Sequence, residues 1–210
     1  MKTAERVLLI SLELFNLHGE ANVSSVDIAN EMEISPGNLY YHFKGKELII
    51  EALAKMYQQR MDKILLAPKS TSLSVEEFFY YLLLIFEVSH LFRFLYRNPA
   101  EISEKYPHAA RRFKKVLAAK ESVLFGCLLS FKDQEMIHAD HDQLKQMNEL
   151  IGLIATQAPN YHLLRGMDIN KKDYVYHSLS MILFALTPYI NLDKEKFAAL
   201  NRSIQTQPDD

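Results

Sequence analysis

Apolar residues recur at spacings of three and four along almost the whole chain, with no sustained alternation of the strand kind. A chain patterned this way buries its apolar stripes by laying helix on helix, so the spacing alone points to an all-α fold. The punctuation agrees. Six Gly and seven Pro in 210 residues fall mostly between the periodic segments, and no repeat or low-complexity segment interrupts them.

The first helix is expected over about residues 3–18, with Leu8, Leu12 and Phe15 on one face and Gly19 ending it. Ser24, with Asp27 three residues on, caps a short helix that runs to Met32. Ser35-Pro36 opens another, reaching His42, because Ser caps well and Pro fits the first helical position. Longer helices follow over about 46–66, 75–97 (opened by a Ser74/Glu77 capping box) and 108–131. Asp140 or Asp142 opens the next, which reaches Pro159 or a little beyond, and Asn170 and Asp173 open one that ends near Pro188. Short helices fill about 101–106 and 193–203. The division therefore falls near residue 48. Three short helices (1–48) precede a helical region with a heavier apolar load (49–210).

Several classes of protein are excluded. Hydrophobic residues at 49% and charged residues at 24% describe a folded globular chain rather than a disordered one. The single cysteine, Cys127, forbids an intrachain disulfide and any CxxC motif, and suits a reducing, cytoplasmic setting. Glu5, Arg6 and Glu13 interrupt what a secretory signal would keep apolar. No stretch reaches the roughly 18 apolar residues of a membrane span. None of the GxGxxG, GxxxxGK[ST], HExxH or GxSxG patterns occurs, and no apolar setting frames Glu101 and Glu104 or Asp140 and Asp142 as paired catalytic carboxylates. An enzyme is not expected, nor a cofactor. A helical binding scaffold without a DNA role is the other alternative. It would lack sequence-dependent DNA affinity, as an enzyme would.

The sharpest constellation is VSSVDIANEMEISPGNLYYHFKGKE, residues 23–47. Two short helices flank the tight turn Met32-Glu33-Ile34, and Ile28, Ala29, Ile34, Leu39 and Phe43 can form an internal face. That is the layout of a helix-turn-helix, whose second helix enters the DNA major groove. Outward residues of that helix carry donors, acceptors and positive charge, with no acid from Ser35 to Lys46. Lys44, Lys46 and the Tyr40 and Tyr41 hydroxyls suit phosphates, while Asn38 and His42, and Tyr40 by apolar contact, suit base edges. Gly37 allows a close backbone approach.

The run ISPGNLYYHFKGKELI resembles the recognition helix and following helix of TetR-family transcriptional repressors, whose pattern is close to V-S-x-G-x-L-Y-x-H/Y-F-x-x-K-E-x-L. AERVLLISLELFNLHG is similar to that family's first helix. The resemblance covers about residues 3–55; beyond that it is one of layout, with FRFLYRNPAEI similar to one subgroup. It implies that the second helix begins at Ser24-Ser25, where a hydroxyl meets a phosphate. It also implies that Pro36 to His42 is the recognition helix, with Ser35 ahead of it, and that Lys46 is the family's lysine at the start of the fourth helix. It further implies a helical C-terminal domain that binds a small molecule and dimerises through two helices. Two features depart from the family. Glu33 stands where Gly or Asn is usual, at a turn that favours a left-handed backbone. Residues 1–50 also hold four Lys and Arg against seven Asp and Glu, so DNA affinity must come from a local face; Glu13, Glu20 and Glu31 are expected to point away from it.

Eight aromatics fall between Phe78 and Tyr96. Such a stripe is either core or the wall of an apolar pocket. The candidate pocket residues are Phe86, His90, Phe94, Cys127, Met147, Ile151, His177 and Met181, with Gln157 and His162 as further polar groups inside apolar runs. They suit an apolar effector. Arg111, Arg112, Lys114 and Lys115 read as a solvated face that could also lie near DNA or the other domain. His138, Asp140, His141 and Asp142 have metal-ligand chemistry, but they sit between helices where the Asp residues have a capping role, and no metal is expected. About 142–158 and 172–188, with Gly152, Ala155 and Ala158 at spacing three, suit a four-helix dimer interface. The sequence thus reads as a homodimeric repressor on a palindromic operator, released or modulated by an apolar effector.

Overall fold

A computed structural model describes residues 3–66, 73–191 and 193–205. They form α1 (Thr3–His18), a 3-10 turn (Glu20–Asn22), α2 (Ser25–Glu31), α3 (Pro36–His42), α4 (Lys46–Leu65), α5 (Val75–Leu91) and α6 (Phe94–Arg97). α7 (Pro99–Lys105), α8 (Pro107–Asp133), α9 (His141–Leu164), α10 (Asp173–Leu186) and α11 (Lys194–Gln205) complete the chain. The only extended pairing among the described residues is an isolated antiparallel bridge between Ile137 and Ile190. The all-α fold is as the spacing requires.

The local signals work where they were read. Gly19 ends α1 with φ 82°, a left-handed conformation that costs glycine nothing. Ser24 and Asp27 form a reciprocal capping box at α2, as Ser74 and Glu77 do at α5. At α9 the cap is Asp140, not Asp142, and Gln143 completes its box. Pro107 takes the first position of α8, one residue before the expected start at 108.

Two helices differ from expectation. The helix expected over 75–97 breaks at Phe92-Arg93, where the sequence has neither Gly nor Pro. Asn16 of α1 supplies the cause. Its Nδ2 donates to Leu91 O (2.8 Å), and its Oδ1 accepts from Phe94 N (3.0 Å). One side chain thus satisfies backbone groups that a continuous helix would pair with itself. α9 passes through Pro159 to Leu164, because Ala158, Pro159 and His162 continue its buried face.

Packing divides the chain into two compact units. One gathers the residues through Met61 with Leu91–Val116. Its core is built from Val7, Phe15, Ile28, Leu39, Tyr57 and Tyr96, with the Phe15 and Phe94 rings 5.6 Å apart. The other gathers Asp62–His90 with the residues from Leu117 onward. There Phe78 stacks edge-on against Phe131 (5.2 Å), and the end of α9 lies beside the start of α10, with His162 and His177 rings 5.1 Å apart. α9 and α10 are therefore antiparallel neighbours.

Candidate functional site

α2 and α3 meet through a turn whose hydrogen bonds are those of a Schellman cap. Glu33 N donates to Asn30 O and Ile34 N to Ala29 O, both at 3.0 Å. The cap position belongs to Glu33, at φ 56°. The left-handed turn is kept although the residue is not glycine. Ile28, Ala29, Met32 and Leu39 are fully buried behind it, while Ile34 and Phe43 are half-buried. Ser35 caps α3 by accepting from Asn38 N at 3.2 Å.

With its apolar face sealed, α3 turns the rest outward. Ser35, Pro36, Gly37, Asn38 and Lys44 are exposed, Tyr40 is 61% and Tyr41 83% exposed, and His42 is half-buried with its ring edge-on to Tyr41 at 5.3 Å. A Cβ on Gly37 would meet nothing closer than Ser35 Oγ, 3.9 Å away, so the protein's own packing does not demand glycine there. Ser25 is half-buried and Ser24 exposed. The Ser24 hydroxyl already donates to Asp27 Oδ2 at 2.7 Å and accepts from Asp27 N at 3.2 Å, so a phosphate would have to compete with Asp27 for that proton. The Ser24 hydroxyl and then its backbone N–H hold the Asp27 carboxyl below its usual range.

Lys46 is turned partly inward. Its ammonium donates to Glu20 O (2.8 Å) and Val23 O (3.1 Å) and pairs with Glu20 Oε2 at 3.6 Å. Two of its three N–H donors therefore lock the start of α4 onto the chain entering α2, and the Glu20 carboxylate stands beside the ammonium as its counter-ion. Glu20 is buried, and Tyr106 donates its hydroxyl to the same carboxylate oxygen at 2.8 Å. Burial, and then that bond to a carboxylate, push the Tyr106 phenol well above its usual range. The Glu20–Lys46–Tyr106 cluster was not visible in sequence, where its members stand far apart. Glu13 and Glu31 are exposed.

The eight candidate pocket residues do not converge. Phe94 belongs to the first unit, against Phe15; the other seven belong to the second. His177 and Met181 lie on the exposed face of α10, whose buried stripe is Tyr174, Val175, Ser178, Leu179, Ile182 and Leu183. Gln157 is exposed too. His90 is buried and bonded to the Tyr174 hydroxyl (3.1 Å), as a satisfied core histidine. Cys127 and Met147 are buried, and burial raises the Cys127 thiol. Phe86 and Ile151 do share a cavity between α5, α8 and α9. It is narrow, with room for about one water molecule. Of the eight aromatics between Phe78 and Tyr96, only Tyr80 is exposed, so the stripe is mainly core, while Phe79, Tyr80 and Phe86 also line cavities.

That same cavity holds two residues the sequence reading passed over. Lys120 is only 4% exposed, and the buried Asn148 Oδ1 has no hydrogen-bond partner. The signal for Lys120 was its register: Val116, Lys120 and Leu124 repeat at four on the buried face of α8. A larger groove of about 630 Å³ lies between α5, α10 and α11, edged by Tyr80, Tyr176 and Lys196, and contains none of the eight candidate pocket residues. Among the described residues no group of three His, Cys, Asp or Glu is placed to hold a metal ion; Asp140 caps α9 and His141 stacks on Phe125. No helix among them is long and apolar enough to cross a membrane.

Comparison with known proteins agrees with this geometry. The family described as bacterial regulatory proteins, tetR family, matches residues 9–53, and the one described as bacterial transcriptional repressor, TetR, matches residues 56–197. The UidR regulator of Escherichia coli K12 is 38% identical over 58 residues, which are 28% of this chain and 30% of that protein, so the chain spans under a third of that relative. A TetR-family regulator from Marinobacter aquaeolei VT8 is 27% identical, with 98% of this chain and 100% of that one superposed at a TM-score of 0.84. The SmeT–triclosan complex shares the fold at 16% identity, covering 90% and 92% at a TM-score of 0.61. Two family matches that together run through most of the chain, over a capped helix-turn-helix and an all-helical remainder, place it in the TetR family of DNA-binding, helix-turn-helix transcriptional regulators, which are not enzymes.

Proposed function

We propose that the protein is a repressor that binds a palindromic operator as a homodimer and is released or modulated by an apolar small-molecule effector. The observation that carries this reading is the sealed apolar face of α3 set against its acid-free, tyrosine-rich outer face. In this reading residues 1–48 read DNA. Pro36 to His42 lies in the major groove, with Asn38, Tyr40 and His42 toward base edges. Ser24, Ser25, Ser35, Tyr41, Lys44 and Lys46 hold phosphates, and Gly37 lets the helix sit close. Residues 49–210 bind the effector and dimerise. Exposed Leu153, Leu164, Met181 and Phe184 on α9 and α10 support a second copy packed there, since a lone chain would leave them in water. SmeT, which shares the fold, binds triclosan, and this supports a small-molecule effector here. For release, the effector must bind the non-binding conformation more tightly.

The test is selection from random-sequence duplex DNA, followed by titration of the enriched sequence across a salt series. A palindrome should emerge, with log K falling by about 0.9 per phosphate contacted for each unit of log salt. Absence of any enriched sequence would overturn the reading.

A further inference from the structure

The helix-turn-helix carries too little positive charge for its task. Residues 1–50 are net acidic, yet the packing unit that contains them holds thirteen Lys and Arg against ten Asp and Glu. The excess is concentrated in one place. A groove of about 460 Å³ runs between α4 and the first turns of α8, with Lys55 on one wall and Arg111, Arg112 and Lys115 on the other. Glu51 is the only acid lining it, and His108 stands at its end. Lys55, Arg111 and Lys115 are exposed. Arg112 is fixed across the groove, donating from Nη1 to Gln58 Oε1 at 3.0 Å.

The placement of these cations runs against their own helix. α8 has 27 residues and no acid in its first turn, so its positive dipole end faces a cluster of like charge. The helix dipole opposes that arrangement, whereas an anion in the groove would be held from both walls at once. The groove also opens at Leu48, two residues beyond Lys46, within the unit that carries α3.

We propose that this groove is a second phosphate-binding surface, which takes the DNA backbone beside the segment read by α3. It rests on the DNA-binding reading above. It supplies the neutralisation that the acidic first fifty residues lack, and it adds affinity without sequence preference.

The test uses the full-length protein and a random-sequence duplex at about 50 to 200 mM salt. The double variant Arg111→Ala/Lys115→Ala is compared with Lys132→Ala/Lys171→Ala, which removes the same charge from exposed positions outside the groove. The slope of log K against log salt should become shallower by roughly 0.9 per lost phosphate contact in the groove variant, and stay at the wild-type value in the other. Equal slopes in both variants, whether changed or not, would overturn the proposal while leaving DNA binding by α3 intact. A wild type that binds no duplex at the lowest salt would overturn the DNA-binding reading itself, and this surface with it.

Discussion

At the scale of single residues, two positions separate what the fold needs from what the DNA needs. Glu33 adopts a left-handed conformation at φ 56° that side chains with a Cβ resist by roughly 1 kcal/mol or more. Glu33→Gly should therefore stabilise the protein by about 1 kcal/mol, a rise of about 2–4 °C in Tm for a chain of this size. A fall in Tm would show that the Glu33 side chain contributes more than its backbone costs. Gly37 is the opposite case. Its Cβ space is open and it lies within a helix, so Gly37→Ala should leave stability unchanged or raise it by up to about 1 kcal/mol. In the proposed docking DNA affinity should nonetheless drop, because the added methyl would stand between the helix backbone and the groove. Retained affinity would remove Gly37 from the interface. The two variants together ask whether the turn and the contact surface obey different constraints four residues apart.

At the scale of helices, the sequence was legible wherever structure is decided locally. Caps, the Ser35-Pro36 start and the buried face of α2 and α3 depend on residues a few positions apart, so α2 and α3 begin and end where they were read. It was illegible where a distant side chain intervenes. The break between α5 and α6 is made by Asn16, more than seventy residues away, and the clasp on Lys46 by Glu20 and Val23. The pocket candidates were scattered because residue type says which groups a ligand would suit, but only packing says which face of α10 looks inward. One helix pair carries a pH signature. His162 is buried in α9 against His177 and Tyr174 of α10, with its Nδ1 3.1 Å from Met167 Sδ. Burial first, then His177 and Arg165, hold its pKa below the ordinary 6.5. Because the folded value is the lower one, the unfolded chain takes up the proton first. The stabilisation is thus present above pH 6.5 and is lost as pH falls from there through the lowered value. Thermal unfolding followed across that window should show Tm decreasing with acidification, and His162→Phe should flatten the decrease. An unchanged slope in His162→Phe would assign the acid sensitivity to other groups.

At the scale of the whole molecule, the question is what covers the apolar outer face of α9 and α10. Leu164 is 88% and Phe184 77% exposed, and Leu153, Tyr161 and Met181 are exposed with them. A patch of this kind is seldom left to water, and two antiparallel helices from each of two chains can close it by ordinary helix packing. If two-fold pairing is the answer, it also sets DNA affinity. Holding two recognition helices together makes the second half-site contact an intramolecular event, which raises affinity by about 10²–10⁴ over a single contact. Phe184→Glu places a charge in the patch without touching a core residue, so secondary structure should be unchanged. Sedimentation should then report a monomer at concentrations where the wild type is a dimer, and affinity for the selected palindrome should fall by a factor in that range, while affinity for an isolated half-site stays the same. A Phe184→Glu protein that still sediments as a dimer and still holds the palindrome would move the interface off α9 and α10, and the exposed apolar face would then have to be matched to a different partner.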